Sequence, residues 1–188
     1  DREVAAGLRL SVVGFGGRVA VYQPLTTLTS TGTLPSAVGG PARYAAALDA
    51  VRERLAREVA ALKATQPVVH RPLLLLLAGA APSDDSAWQA ALRRLTDRTH
   101  QRYAPCVVAA GFGAAPAALV AGLASRRELA FHAARADPDT AITRFFDAAA
   151  ASVTRSGESI LSRRPQLAVK RPDGFRLLDT PVGADPQG

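Results

Sequence analysis

The sequence predicts an α/β domain with a mostly parallel central sheet, helices on both faces and an antiparallel hairpin at one edge. From about residue 72 onward, short apolar runs bounded by Pro or Gly alternate with stretches of helical periodicity. Buried strands joined by helices form parallel sheets that are covered on both faces. Two extended runs that flank Gly16-Gly17 precede this region and indicate the hairpin.

Length and composition fit one domain. Of the 188 residues, 48% are hydrophobic, which is enough for a core. No apolar run approaches the length of a transmembrane helix, so we expect no contact with a membrane. The single cysteine, Cys106, excludes a disulfide within the chain and agrees with a cytoplasmic location. Because the chain contains no Met, we expect a processed or truncated N-terminus.

The net charge of +7 comes mainly from arginine, and aromatic residues make up only 5% of the chain. A basic surface attracts nucleic acids at long range. Here, however, the arginines are scattered over several predicted helix faces, without a basic stripe interleaved with aromatic residues. We therefore expect a solvated basic surface and no nucleic-acid partner.

The N-terminal half contains the hairpin, a loop and the first helix. Leu8 to Phe15 and Arg18 to Pro24 alternate apolar and polar residues, as hairpin strands do. Residues 26–41 are rich in Thr, Ser, Gly and Pro and predict a loop. An apolar stripe at spacings of three and four residues then runs from Tyr44 to Leu62 and predicts a helix of about five turns.

A buried strand and a second helix follow. Leu73 to Leu77 is an uninterrupted apolar run between Pro72 and Gly79, which predicts a fully buried strand. Ser83-Asp84-Asp85-Ser86 has the residue types of an N-cap and a first helical turn. We therefore expect a helix after this segment with an apolar inner face formed by Trp88, Leu92 and Leu95.

The C-terminal part continues the alternation. Cys106 to Ala110 predicts a buried strand that ends at Gly111-Phe112-Gly113, and Pro116 suits the start of a short helix. Leu129 to His132 predicts a short strand. Asp137-Pro138 begins a helix whose apolar face consists of Ile142, Phe145, Phe146, Ala149 and Val153. The domain is expected to cover residues 1–155. Residues 156–188 would form a partly extended or disordered tail, in which 167–169 and 175–178 dock on the domain.

Several of these segments, in this order, resemble the von Willebrand factor A-type domain, most closely the bacterial branch associated with tellurium and stress resistance. The resemblance covers residues 8 to 155 and implies a three-layer, Rossmann-like fold. The matching pieces are Leu10 to Phe15, Gln23 to Thr26, Gly39-Gly40 with the helix that follows, Arg71 to Gly79, Pro82 to Asp85 with Trp88, Val107 to Gly113, and the helix with Phe145-Phe146.

Members of this family usually carry a metal-ion-dependent adhesion site. Its ligands come from an Asp-x-Ser-x-Ser loop, a Thr and an Asp, because hard cations such as Mg²⁺ prefer oxygen donors. Here the Thr position holds Pro41, or Ala42 if the following helix sets the alignment, and the Asp position holds Ala78. No strand with the first motif precedes Asp1. We therefore expect a degenerate site that binds no metal and no other cofactor.

The missing first strand would lie in the middle of the family's sheet. Its absence would leave two strand edges with unpaired amides. Three explanations remain open, of which we favour the first. An upstream segment of the natural protein completes the sheet, a second chain supplies the strand, or the hairpin pairs directly with Leu73 to Leu77.

We expect a non-enzymatic protein-binding or scaffolding module, within a bacterial stress-response assembly, whose partner is another protein. Open parallel sheets bind their ligands where the strands end. The candidate binding residues at these ends are Gly39, Gly40, Pro41, Ala78, Gly79, Asp84, Asp85, Gly111, Phe112 and Gly113.

The alternative is a nucleotide-binding domain or small enzyme that uses the Gly111-Phe112-Gly113 turn. This turn lies between a strand and a helix, as a dinucleotide-binding turn does, but Pro116 replaces the third glycine of that motif. Asp84-Asp85 could form a carboxylate pair, although acidic residues at a helix N-terminus are favoured by the helix dipole alone. The three histidines lack the spacing of a metal site.

Overall fold

The chain divides into two units, Asp1–Pro72 with Pro82–Pro105 and Leu73–Ala81 with Cys106–Gly188. A computed structural model describes residues 7–27, 39–66, 68–133, 137–161 and 169–178, with no side-chain detail for residues 157–161. The protein is a mixed α/β structure with a two-stranded antiparallel sheet and a four-stranded, mostly parallel sheet. Within the described ranges no helix is both long enough and apolar enough to cross a membrane.

The first unit contains the hairpin and two helices. Strands β1 (Arg9–Phe15) and β2 (Val19–Thr27) pair antiparallel around the Gly16-Gly17 turn, as predicted. Helix α1 (Tyr44–Thr65) packs against the hairpin and against helix α2 (Ala87–Thr96). The helices bury their apolar faces, which consist of Tyr44, Ala47, Leu48 and Val59 in α1 and of Trp88, Ala91 and Leu95 in α2.

The second unit is built on the four-stranded sheet, in the order β3-β4-β5-β6. The first three strands are parallel, as buried apolar runs joined by crossover helices require. Its elements are β3 (Leu73–Ala78), β4 (Cys106–Phe112), α3 (Ala117–Leu123), a 3₁₀ turn (Arg127–Leu129), β5 (Ala130–Ala133), α4 (Pro138–Leu161) and β6 (Arg176–Leu177).

The core of this unit lies between the sheet and α4. Val108, Phe131, Phe145 and Phe175 are all buried in one apolar cluster. Phe175 comes from the C-terminal segment, and the adjoining Leu177 pairs with Phe131. The predicted docking of residues 175–178 is therefore confirmed, whereas positions 167 and 168 lie outside the described residues.

The hairpin does not form the antiparallel edge of the parallel sheet, so this expectation was wrong. Strands β1 and β2 pair with each other and form a sheet of their own, and the antiparallel edge of the second unit's sheet is β6. Nor does the hairpin pair directly with β3, the third explanation considered for the missing strand. Hairpin formation is a local event that turn residues can encode, whereas the next strand partner is set by tertiary packing.

The buried face of α4 differs from the predicted one. Ala141, Phe145, Ala148 and Ser152 are buried, whereas 48% of Phe146 is exposed. The spacing of the buried residues is that of one helix face, and small alanines allow this face to approach the sheet closely. The helix also continues to Leu161, beyond the predicted domain end at residue 155.

Candidate functional site

In the first unit, the loop before α1 lies against the hairpin turn. The Gly17 N–H donates to the Gly39 carbonyl at 2.9 Å. Gly40 has a φ of +93°, and a Cβ atom on it would lie 3.0 Å from the Gly17 backbone. Glycine is therefore required at position 40 by both its backbone conformation and the close approach. Gly39 and Pro41 are exposed beside it.

A second loop, before α2, is bound to the start of α1. The Ser83 N–H and hydroxyl both donate to the Ala42 carbonyl, at 2.9 and 3.0 Å. The Ala45 N–H donates to Asp84 Oδ2 at 2.5 Å. Helix α1 has no acidic residue in its first turn, and its N-cap residue Arg43 makes no side-chain hydrogen bond. Asp84 therefore supplies the missing cap of α1 from 39 residues away.

The prediction that Asp84 and Asp85 begin α2 was wrong. The N-cap position of α2 is Ser86, no side chain caps it, and its first turn contains no acidic residue. Asp85 is exposed with a φ of +45°, a left-handed conformation that Asp tolerates better than most residues. Of the two carboxylates, Asp84 is thus bound to a helix end, whereas Asp85 is exposed to solvent.

Tyr44, the first residue of α1, is buried. Only 1% of it is exposed, and its ring contacts Phe15 edge to face, with the ring centroids 4.9 Å apart. Burial, with a smaller contribution from the negative charge of Asp84, raises the pKa of Tyr44 to about 12. The phenol therefore stays neutral at physiological pH and acts as part of the core.

In the second unit, the ends of β3 and β4 contact each other. Ala78 is 0% exposed, so its methyl group points into the protein. A Cβ atom on the exposed Gly79 would lie 3.2 Å from the Phe112 ring, which shows how closely the two loops pack. Gly113 turns the chain toward α3 with a φ of +58°. The five predicted residues Ala78, Gly79, Gly111, Phe112 and Gly113 therefore lie at the adjoining ends of β3 and β4 and in the turns that follow them.

Gly111 has a packing role. It is buried, and a Cβ atom on it would clash with the Val120 side chain of α3 and lie 2.9 Å from His132 Cδ2. The missing side chain at Gly111 thus allows α3 to approach β4 and leaves space for His132. Of residues 111–115, only Gly113 and Ala114 are exposed to solvent.

The sequence did not single out His132, which is 5% exposed in β5. Its Nε2 lies 2.8 Å from the Ala115 carbonyl, an acceptor, so Nε2 carries the proton. Nδ1 is buried and has no hydrogen-bond partner among the described residues. The available signal was its place at the end of the short run Leu129 to His132, which the sequence predicts to be a strand.

The described residues contain no group of three or more His, Cys, Asp or Glu side chains that could hold a metal ion. Each set of loops provides mainly backbone groups and small side chains: Gly39, Gly40 and Pro41 in the first unit, and Gly79, Ala80, Ala81, Gly113 and Ala114 in the second. A scan against models of known protein families gives no match to this chain, and a search of curated proteins gives none either.

Proposed function

We propose that this chain is a protein-binding module with the three-layer, Rossmann-like architecture of a von Willebrand factor A-type domain, and that it binds its partner without a metal ion and without catalysis. The observation that carries the proposal is the buried methyl group of Ala78 at the end of β3. The resemblance expects a metal-binding Asp at this position. A buried alanine side chain offers a hard cation no ligand.

The hydrogen bonds between loops of the first unit support the same proposal. Ser83 and Asp84 bind the start of α1 directly, through Ala42 and Ala45. These contacts fix the loop before α1 without an ion. A loop that is ordered before binding loses less conformational entropy when a partner binds, which favours affinity.

The proposed binding surface in the second unit is formed by the exposed residues Gly79, Ala80 and Ala81 after β3 and Gly113 and Ala114 after β4. Open parallel sheets bind ligands beyond the carboxyl ends of their strands. The small residues leave room for a protruding apolar side chain of the partner, and Phe112 holds the two loops together. We propose that the module acts in a bacterial stress-response assembly, as the resemblance implies.

The alternative, a nucleotide-binding domain or small enzyme, would use the turn at Gly111. In dinucleotide-binding turns a glycine allows the phosphates to approach the backbone. Here the space beside Gly111 is filled by Val120 and His132, so the packing favours the protein-binding proposal. Differential scanning fluorimetry with nucleotides separates the two, because only the alternative predicts a rise in melting temperature.

A quantitative capture experiment tests the proposed surface. The immobilised chain would be compared with Ala114→Glu, which places a charge on the surface, and with Ala150→Glu, a control at an exposed alanine of α4. We expect Ala114→Glu to lose the specific partner and Ala150→Glu to retain it. Equal retention by both variants would reject the surface. If both variants lose the partner, capture depends on the basic charge of the chain and not on this surface.

Metal independence has its own test. Calorimetric titration of the chain with Mg²⁺ and with Mn²⁺ is expected to give no binding below millimolar concentration. Tighter binding of either ion would overturn the metal-independent part of the proposal.

A further inference from the structure

In the first unit, two cations lie against the ring of Tyr103, in the segment that follows α2. The ammonium group of Lys63, from the last turn of α1, lies over this ring at 4.8 Å from its centroid. The guanidinium carbon of Arg102 lies over the ring at 5.9 Å. Aromatic rings attract cations at such distances, so the ring holds both positive charges close to one another.

A third cation, Arg71, is fixed beside the same segment. Its Nε donates to the Ala104 carbonyl at 2.8 Å, and its Nη2 donates to the Pro105 carbonyl at 3.1 Å. The two bonds orient the guanidinium group and leave its other N–H donors for an anion. Arg71 is exposed, as are Lys63 and Arg102. These three cations and Tyr103 are called the basic patch below.

The positive charge of the basic patch is not neutralised by carboxylates. Among the described residues, none of its three cations forms an ion pair. Asp97 is the only acidic residue in the ranges 59–72 and 86–105, which together contain six lysines and arginines. Its Oδ1 accepts from the N–H and the hydroxyl of Thr99, and its Oδ2 lies 2.7 Å from His100 Nδ1. The excess of positive charge is therefore local to this part of the first unit.

We propose that the basic patch binds the phosphate backbone of a nucleic-acid duplex, independently of the base sequence. The scattered arginines of the sequence predict no such partner, but the structure brings three separate cations to residues 103–105. A duplex carries one negative charge per about 1.7 Å of its axis, and Arg, Lys and Tyr side chains bind its phosphate oxygens. This inference goes beyond the proposed function and concerns the other unit of the chain.

The surroundings of the basic patch favour a duplex over other anionic partners. Residues 97–102 are all polar, and the exposed ones are Arg98, Thr99, His100 and Arg102. Charged residues are depleted at the core of protein interfaces, so this surface fits phosphates better than a polypeptide. Single strands bind largely by stacking their bases on aromatic rings. The Tyr103 ring is half-buried and already has two cations over it, so it offers little surface for stacking.

Fluorescence anisotropy of the full chain with a short labelled DNA duplex tests this inference over a range of salt concentrations. Each phosphate contact contributes about −0.9 to the slope of log K against log salt concentration, so three cations predict a slope of about −2.7 or steeper. A second duplex of unrelated sequence should bind with the same affinity. No binding, a slope near zero, or a preference of more than about 10-fold for one duplex would overturn the inference.

Charge-matched variants separate the basic patch from the net charge of the chain. Lys63→Gln and Arg102→Gln should each weaken duplex binding about 8-fold at about 0.1 M salt and reduce the slope by about 0.9. Arg18→Gln removes the same charge at an exposed position between β1 and β2 and should change affinity by less than about 2-fold. Equal losses in all three variants would assign binding to net charge and reject the patch. Arg71→Gln should also weaken binding. If it does not fold, the exposed positions 63 and 102 decide.

Two unlabelled competitors identify the class of the ligand. One strand of the duplex alone and a poly-glutamate peptide should each displace the labelled duplex at least about 10-fold less effectively than the unlabelled duplex does. Equal displacement by poly-glutamate would show a site for acidic polypeptides, and equal displacement by the single strand would show a site for single strands. Either result would overturn the inference. The capture experiment with Ala114→Glu concerns the second unit, so its outcome is independent of these results.

Discussion

The substitution Asp84→Ala tests the finding that a carboxylate before α2 caps α1. The change removes the acceptor that Asp84 Oδ2 provides for the Ala45 N–H at 2.5 Å. Replacing an N-cap acceptor by Ala costs about 1 kcal/mol, and loss of the charge near the helix N-terminus adds about 0.3–1 kcal/mol. Because Asp84 Oδ1 is buried without a partner among the described residues, its removal recovers part of this cost. We expect a net loss of about 1 kcal/mol in the free energy of unfolding.

Urea denaturation followed by circular dichroism measures this loss, and the melting temperature should fall by about 2–4 °C for each kcal/mol in a chain of this length. Asp84→Asn keeps an acceptor oxygen and should recover most of the stability. Asp85→Asn is the matched control, since residue 85 is exposed and Asn tolerates its φ of +45°. If Asp84→Ala and Asp85→Asn change the unfolding free energy equally, the capping argument is refuted.

Three further predictions concern buried groups and close contacts. Burial raises the pKa of Tyr44 from 10.0 to about 12, so the stability that depends on the neutral phenol is complete below about pH 10 and is lost as the pH rises to about 12. Urea denaturation across this range should show a shallower loss for Tyr44→Phe than for the unmodified chain. Gly111→Ala would place a methyl group 2.9 Å from His132 Cδ2 and should destabilise the chain by about 1–3 kcal/mol in thermal melting. Gly40→Ala, at a φ of +93°, should cost about 1–3 kcal/mol, whereas Gly39→Ala, with open space around it, should stay within about 0.5 kcal/mol. Equal effects at positions 39 and 40 would contradict the proposed strain.

Local patterns predicted the individual elements well. The apolar run at Leu73 to Leu77 and the stripe from Tyr44 to Leu62 correspond to β3 and α1. Strands and helices of this kind are specified by short-range periodicity and by Pro or Gly at their boundaries. The hairpin at Gly16-Gly17 is likewise specified by residues close together in the sequence, and the structure contains it as the β1–β2 pair.

Contacts distant in sequence were not predictable in this way. Asp84 lies three residues before α2 in the sequence, but its carboxylate caps α1. This contact forms because the loop before α2 lies against the start of α1, and short-range sequence patterns do not show which loops meet in space. The exposure of Phe146 also depends on tertiary packing. A helix with apolar residues on more than one side can bury either of those sides. In α4 the buried side is the one that contains Phe145, which packs in the core cluster of the second unit. The burial of His132 also follows from the position of β5 between two strands.

The central claim is that the loop surface of the second unit binds a protein partner without a metal ion. The most direct measurement is partner capture in a buffer that contains a chelator, with the unmodified chain, Ala114→Glu and Ala150→Glu in parallel. We predict that the unmodified chain and Ala150→Glu retain the partner in chelator and that Ala114→Glu loses it. Loss of the partner from the unmodified chain on chelation, or its retention by Ala114→Glu, would contradict the claim.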